Sequence, residues 1–357
     1  MSRADIANRE ERIIAAHSRK SGARFCWENK MDKELIQTAL WYCRQSSDFL
    51  RNTTAEKFVK DGYDRFSLEA DRLAPATMRL CHETDKVQIM TQFVFSFVAA
   101  SWYAGKAIYD FDKDFLRNLM ATEDAPIYEA ILRRLPYTDY LIPLPEGTGY
   151  DGMFVHIEFD KAEDRNDILF LVCPFVGSAK ESEVGFRQIP LWCKDGSNLA
   201  QAHEETAKRA QYPITEEDKE LDKTLLKLAV YTAYYLSSKN AVVRDVSPAK
   251  AKRPKMRDAK GREKPVKIQV YEAGYRVGES FEAQMRRRNT PAKATNTPAG
   301  VGGSKTPHMR RAHWHHYWVG EGRTTLEVRW IEPTFVGNPD RAVAVVRKVS
   351  GRDEKGM

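Results

Sequence analysis

MFVHIEF at residues 153–159, ILFLV at 168–172 and GFRQIPLW at 185–192 decide the fold class of this chain. The first alternates apolar and polar positions, the second is a short apolar run, and the third reads as another strand. Loops carrying Asp, Asn, Gly and Ser separate them, so the three predict a small antiparallel sheet that begins where the hydrophobic period changes, near residue 137. His156 falls between Val155 and Ile157 inside the first strand. A lone histidine there reads as a satisfied or surface residue and not as a ligand.

Outward from the sheet the pattern is helical. Upstream, MDKELIQTALWYCRQSSDFL sets Leu35, Ile36, Leu40, Tyr42 and Cys43 close to one helical stripe. Val87 to Gly105 holds 19 residues without a charge. Gln88, Thr91, Gln92, Ser96 and Ser101 interrupt that stretch, and Asp85, Lys86 and Lys106 flank it, so it predicts a buried core helix over 84–108 and no membrane span. Thr84 and Asp85 are its expected caps. Asp110 to Thr122 predicts a short helix with Phe115, Leu116 and Leu119 facing inward. Downstream, residues 215–238 give the strongest helical pattern, opened by Thr215 and Asp218 as a loose capping box.

The expectation is an α+β protein in five parts. A helical region spans 1–135, and an antiparallel sheet plus long helix spans 136–240. A basic arm with a short helix spans 241–288, a flexible linker 289–307, and a β-hairpin module 308–357. The linker reading rests on NTPAKATNTPAGVGGSKTP, rich in Pro, Gly and Thr.

Charge divides unevenly along these parts. The whole chain carries 57 Lys+Arg against 50 Asp+Glu, a net +7. Residues 241–357 hold 25 against 12, a net +13, which leaves residues 1–240 at −6. A basic third on an acidic body points towards nucleic-acid contact. Nine basic residues fall between Lys250 and Lys267, among them Lys252, Arg253, Lys255 and Arg257. Pro248, Pro254, Pro265 and Gly261 deny that segment a regular helix, so it reads as an exposed arm. Arg286, Arg287 and Arg288 end a short helix begun near Gly278. The five cysteines are scattered and lack a C-x-x-C spacing, which reads as reduced thiols. The first twenty residues have no apolar signal core, so a cytoplasmic protein is expected, with no membrane partner.

Information is densest after the linker, in PHMRRAHWHHYW at 307–318, where four of the eight histidines and two of the seven tryptophans lie within eleven residues. Val319 leads into the Gly320-Glu321-Gly322 turn and then the β-prone run TTLEVRWI, a hairpin pattern. In a strand, His313, His315 and Tyr317 line one face, and Trp314, His316 and Trp318 line the other. Opposite them, Leu326, Val328 and Trp330 share a face, with Glu327 and Arg329 on the reverse. A tryptophan-rich face can pack on the body and leave histidine, tyrosine and arginine outside.

Three chemistries fit that outer face. Arginines can neutralise phosphates while rings stack on unpaired bases. His313 or His315 could move protons in an endoribonuclease, with Arg310 or Arg311 stabilising the developing charge. His313 and His315 could also share a metal, although no nearby carboxylate or cysteine completes a set; no metal or cofactor is assigned. The nucleic-acid- or ribosome-binding candidates are Lys252, Arg253, Lys255, Arg257, Arg286, Arg287, Arg288, His308, Arg310, Arg311, His313, His315, Tyr317 and Arg329. A plasmid or phage DNA-binding accessory protein fits the same charges.

KTPHMRRAHWHHYWVGEG…LEVRWIEPTFVGN resembles the C-terminal signature of the second-numbered type V-A anti-CRISPR family, inhibitors of type V-A effector nuclease production carried on phages and plasmids. The likeness extends to Lys252-Arg253-Pro254-Lys255, Gly261 and the order Tyr271…Gly274…Arg276…Gly278. In outline it reaches the 215–238 helix and Trp102…Lys106…Ile108-Tyr109. The resemblance implies a regulator, not assigned as an enzyme, that recognises the N-terminal segment of the nascent nuclease, or of a related protein. It would bring about loss of the messenger during translation. Its implied partners are that nascent polypeptide, RNA or the translating ribosome, and a host nuclease if cleavage is delegated. The basic tail is then the RNA- or ribosome-facing surface, and the acidic body offers the peptide groove.

Overall fold

The computed structural model describes residues 33–51, 83–145, 148–160, 167–177, 184–209, 216–257, 262–276 and 308–336. The expectations for Arg286–Arg288, the 289–307 linker, Thr215, Cys26 and Cys81 lie outside these residues. The protein is α+β, built on an eight-stranded mixed sheet with helices on both faces and a separate C-terminal hairpin.

Two helices cover one face. Helix α1 (Lys33–Arg51) packs on α2 (Glu83–Gly105), and α2 lies over the centre of the sheet. The expected stripe of Leu35, Ile36, Leu40, Tyr42 and Cys43 is buried there. So are Phe95, Phe97, Val98 and Trp102, as the uncharged run predicts. No described helix is long and apolar enough to cross a membrane. Helix α2 begins at Glu83, so Thr84 and Asp85 sit in its first turn and do not precede it.

Helix α2 also ends earlier than its pattern suggests. Gly105 is its last residue, and Lys106 takes a left-handed φ of 54°, stopping the helix as a C-terminal cap does. Ala107–Phe111 then forms strand β1 instead of continuing or starting a helix. The reason is visible in AIYDF, whose β-branched and aromatic residues suit a buried strand. Asp112 caps the following helix α3 (Lys113–Met120), its carboxylate accepting from the backbone N–H of Asp114 (3.0 Å) and Phe115 (2.9 Å). Phe115, Leu116 and Leu119 face inward as expected. A short helix α4 (Glu129–Leu132) follows.

Strands β2 (Asp139–Pro143), β3 (Gly152–Asp160) and β4 (Asp167–Gly177) run antiparallel, in register over Tyr140↔Val155 and Val155↔Val172. Their alternation sorts side chains cleanly. Met153, Val155 and Ile157 face one core, while Phe154 faces the other with Leu169, Leu171 and Cys173. The expected third strand is two, β5 (Val184–Phe186) and β6 (Ile189–Lys194), broken at Arg187 and Gln188, where the Arg187 guanidinium meets Asp222 at 3.0 Å.

The sheet grows beyond the expected three strands because distant segments join it. Strand β1 pairs parallel with β2 on one side. On the other it pairs parallel with β10 (Gln269–Ala273), and edge strand β7 (Val243–Asp245) closes the order β5-β4-β3-β2-β1-β10-β7, with β6 on β4. A parallel partner far along the chain leaves no turn signal, so local patterning does not announce it. Gly274 ends β10 at φ +73°, and a Cβ there would lie 2.3 Å from the Phe115 ring, so only glycine fits.

Helices α5 (Leu199–Arg209) and α6 (Glu216–Leu236) cover the second face with α3 and α4. Asn198 and Gln201 exchange backbone-to-side-chain bonds of 2.9 Å in both directions, a capping box for α5. The basic arm is a small hairpin, β8 (Lys255–Arg257) with β9 (Glu263–Pro265), preceded by a short 3₁₀ turn at Lys250–Lys252. The C-terminal module consists of β11 (His308–Arg310) paired with β14 (Thr334–Val336), and β12 (His313–Val319) paired with β13 (Thr325–Ile331).

Candidate functional site

The β12–β13 hairpin is held to the body by its apolar face. Trp314 pairs with Trp330, His316 with Val328, and Trp318 with Leu326, the side assignment the alternation predicts. Trp314, Val328 and Trp330 are buried. Trp330 meets Phe115 edge-on at 5.0 Å and Tyr235 at 6.0 Å, and its indole N–H donates to Thr122 Oγ1 at 3.2 Å. Trp314 meets Tyr231 and Tyr234 edge-on at 5.9 and 5.2 Å.

The open edge of β13 is closed by the turn after α6. Lys239 N–H donates to Val328 O at 3.0 Å. Asn240 donates from Nδ2 to Trp330 O (2.8 Å) and accepts from Trp330 N–H (3.1 Å). These bonds satisfy backbone groups that an isolated hairpin would leave to solvent. His316 also belongs to the seam. Tyr234 donates its hydroxyl to Pro126 O at 3.0 Å and lies 3.1 Å from His316 Nε2, while Tyr128 stands edge-on to the imidazole at 5.4 Å. Burial pushes the His316 imidazole below its ordinary 6.5, and His315 adds to the shift.

Outside the seam the hairpin presents a ring-lined ridge. His315 and Tyr317 touch at 4.1 Å between centroids, and the Arg329 guanidinium lies 5.4 Å over the Tyr317 ring. His315 and Arg329 are exposed cross-strand partners. Trp318 is the departure from expectation: it belongs to the packing face, yet 59 % of it is exposed, while its cross-strand partner Leu326 is buried. Its position beside the turn was the only sequence signal for this.

Arg310 and His313 form a second group around the bend between β11 and β12. Arg310 Nη2 lies 3.2 Å from His313 Nε2, and His313 Nδ1 lies 3.4 Å from Arg311 O. A guanidinium has only donors, so Nε2 must accept and Nδ1 carries the proton. The lone pair a general base would use is therefore engaged by Arg310. Arg310 and Arg311 are both exposed. A cleft of about 400 Å³ opens here, lined by Arg310, Arg311, Ala312, His313 and Trp314 on one wall and Glu123, Asp124 and Ala125 on the other.

No motif or spacing singles out Glu123 or Asp124. Asp124 accepts from the N–H groups of Leu199 (3.2 Å) and Ala200 (3.3 Å) at the start of α5 and from Tyr231 OH (3.3 Å), all contacts across the fold.

The other candidates lie elsewhere. Lys252 and Lys255 are exposed on the arm, Arg253 is half-buried with its Nε lacking an acceptor, and Arg257 sits on β8. Met256 and Val266 anchor this arm to the core under α1 and α2, whereas the β12–β13 hairpin belongs to the core under α6. The arm and the hairpin are thus seated on opposite faces of the sheet. His308 lies on β11. Among the described residues no group of three or more His, Cys, Asp or Glu side chains is placed to hold a metal ion. Cys43, Cys173 and Cys193 are buried thiols, and burial raises the pKa of each.

A mixed sheet sandwiched by helices, with a docked C-terminal hairpin whose outer face carries histidine, tyrosine and arginine, defines an α+β protein built around an appended surface module. Residues 109–338 match the model of the AcrVA2-like, anti-CRISPR type V subtype A2 family, a span that runs from β1 to just past β14. The chain belongs to that family. The fold is similar to the crystal structure of AcrVA2, with a TM-score of 0.51 at 15 % identity over 84 % of this chain and 97 % of that one. The search of curated proteins returns no match.

Proposed function

We propose that this anti-CRISPR protein acts in the cytoplasm on the type V-A effector nuclease, or a relative of it, while that protein is being made. It recognises the emerging N-terminal segment and promotes loss of the messenger, with RNA or the ribosome held by its basic surfaces and cleavage left to a recruited host nuclease. Family membership supports the anti-CRISPR role. The observation that carries the RNA-facing part is the division of labour on the hairpin. One face is spent on α6, while His315, Tyr317, Arg329 and the Trp318 tip remain at the surface. Rings beside guanidinium groups suit unpaired bases, each stack being worth about 1–3 kcal/mol.

The test is co-expression with a type V-A nuclease reporter, reading transcript and protein together. The transcript should fall severalfold, and removing the start codon of the reporter should restore it. An unchanged transcript with this protein well expressed would overturn the proposal.

A further inference from the structure

The arm at 250–267 carries nine basic residues and no aromatic one. Single-stranded RNA is held in large part by stacking its bases on rings, so the arm lacks what unpaired bases need. A double helix turns its bases inward and offers phosphates along both strands, which a ring-free basic surface can meet.

The fold also fixes the arm in place. Pro254 is buried and its carbonyl accepts from the Val266 N–H at 2.8 Å, while Val266 and Met256 pack into the core under α1 and α2. Lys250, Lys252 and Lys255 are exposed around that anchor, and Lys255 comes no nearer to Glu263 than 3.9 Å. Among the described residues no carboxylate pairs with Lys250, Lys252 or Arg253. Arg253 is half-buried: its Nε is enclosed without an acceptor, and its two Nη groups stay open to solvent. The enclosed edge holds the guanidinium plane, and the Nη edge is the part a ligand meets. Such a group is already partly stripped of water and has no carboxylate to displace. A phosphate reaching the Nη edge therefore meets a fork that is oriented beforehand.

We infer that Arg253, with Lys250, Lys252 and Lys255, forms a site for the backbone phosphates of a base-paired RNA stem. The ring-lined ridge, seated on the opposite face of the sheet, takes unpaired RNA instead. The choice of RNA over duplex DNA rests on the proposed function, because phosphate recognition alone does not separate the two.

The test uses the full chain and fluorescence anisotropy at one fixed salt concentration. The labelled probes are a blunt RNA stem of about 16 base pairs, a DNA duplex of the same sequence, and an unstructured RNA single strand. The RNA stem should bind at least as tightly as the DNA duplex. Changing Lys250→Gln, Lys252→Gln and Lys255→Gln together should weaken the stem about tenfold or more and lower its salt slope by about three. The affinity for the single strand should change by less than about twofold, since stacking on the ridge is untouched. Arg253→Lys keeps the charge but loses the fork; it should weaken the stem about fivefold at an unchanged salt slope and melting temperature.

Equal weakening of stem and single strand by the triple variant would make the arm a general charged surface and overturn the assignment. So would Arg253→Lys binding the stem normally, or the DNA duplex binding more tightly than the stem. If the single strand binds and the stem does not, the arm site fails and the proposed function stands. If neither RNA binds, the RNA-facing part of the proposed function fails with it.

Discussion

His156 is buried between two carboxylates, those of Asp139 and Glu158. It reads as a satisfied strand histidine, and it is buried, 2.6 Å from Asp139 Oδ1 through Nδ1 and 2.9 Å from Glu158 Oε1 through Nε2. Glu158 lies two residues along the same strand, so that partner was within reach of the alternation. Asp139 arrives only through the β2–β3 register, where it stands opposite His156, and no local pattern reports it. Burial alone would lower the imidazole pKa, but the two carboxylates outweigh it and hold His156 up at about 10. Its folded value therefore exceeds the ordinary 6.5, so its stabilisation is complete below pH 6.5 and is lost as pH rises towards 10. Burial would also raise Asp139, yet His156, Ser101 and Thr138 hold it below 3.8, so its share is present above pH 3.8 and is lost on acidification. Denaturant melts should show stability declining between pH 6.5 and 10. Asp139→Asn should flatten that alkaline limb and cost about 3 kcal/mol, the scale for breaking a buried ion pair. An alkaline limb unchanged in the variant would mean that another group sets it.

At the scale of elements, the hairpin was the most legible part of the molecule. Strand period and the Gly320-Glu321-Gly322 turn predicted its two faces, and the pairing of Trp314 with Trp330 bears them out. What the pattern does not supply is the exposure of Trp318, which shares the packing face with its buried partner Leu326 yet stays open to solvent. The difference is measurable. Trp330→Ala should cost about 3–5 kcal/mol, since it empties a buried site against Phe115 and Tyr235. Trp318→Ala should change stability by no more than about 0.5 kcal/mol and should weaken RNA binding. Docking of the hairpin should also respond to acid. His316 in the folded protein titrates below 6.5, so the folded state resists its protonation; the seam is complete above pH 6.5 and weakens as pH falls through the depressed value. Hydrogen exchange across residues 313–331 should accelerate on acidification beyond the intrinsic pH effect, and His316→Gln should remove that excess. Equal protection at neutral and acidic pH would remove His316 from the seam's energetics.

For the whole molecule, composition located the positive charge but not its geometry. The net +13 of residues 241–357 reads as one basic surface. The fold seats the arm and the hairpin on opposite faces of a single sheet, with β10, the neighbour of edge strand β7, lying between them in sequence. The two clusters should then contribute to RNA affinity independently. Lys252→Ala with Lys255→Ala on the arm, and Arg329→Ala on the hairpin, should give losses that add within about 0.5 kcal/mol. Each charge removed from a true phosphate contact should reduce the salt slope by about one. Strongly non-additive losses would mean that one RNA path crosses both. The α+β class was readable from three strand segments and the long helices, whereas the parallel joins of β1 to β2 and β10 were not, because they link segments that share no turn. The join of β1 to β10 also sets an order in time. Residues 107–111 wait for residues 269–273 before β1 is paired on both sides, so most of this chain must leave the ribosome before the sheet is complete. During its own translation, the protein passes through a long interval as an unfinished sheet with β1 still unpaired along one edge.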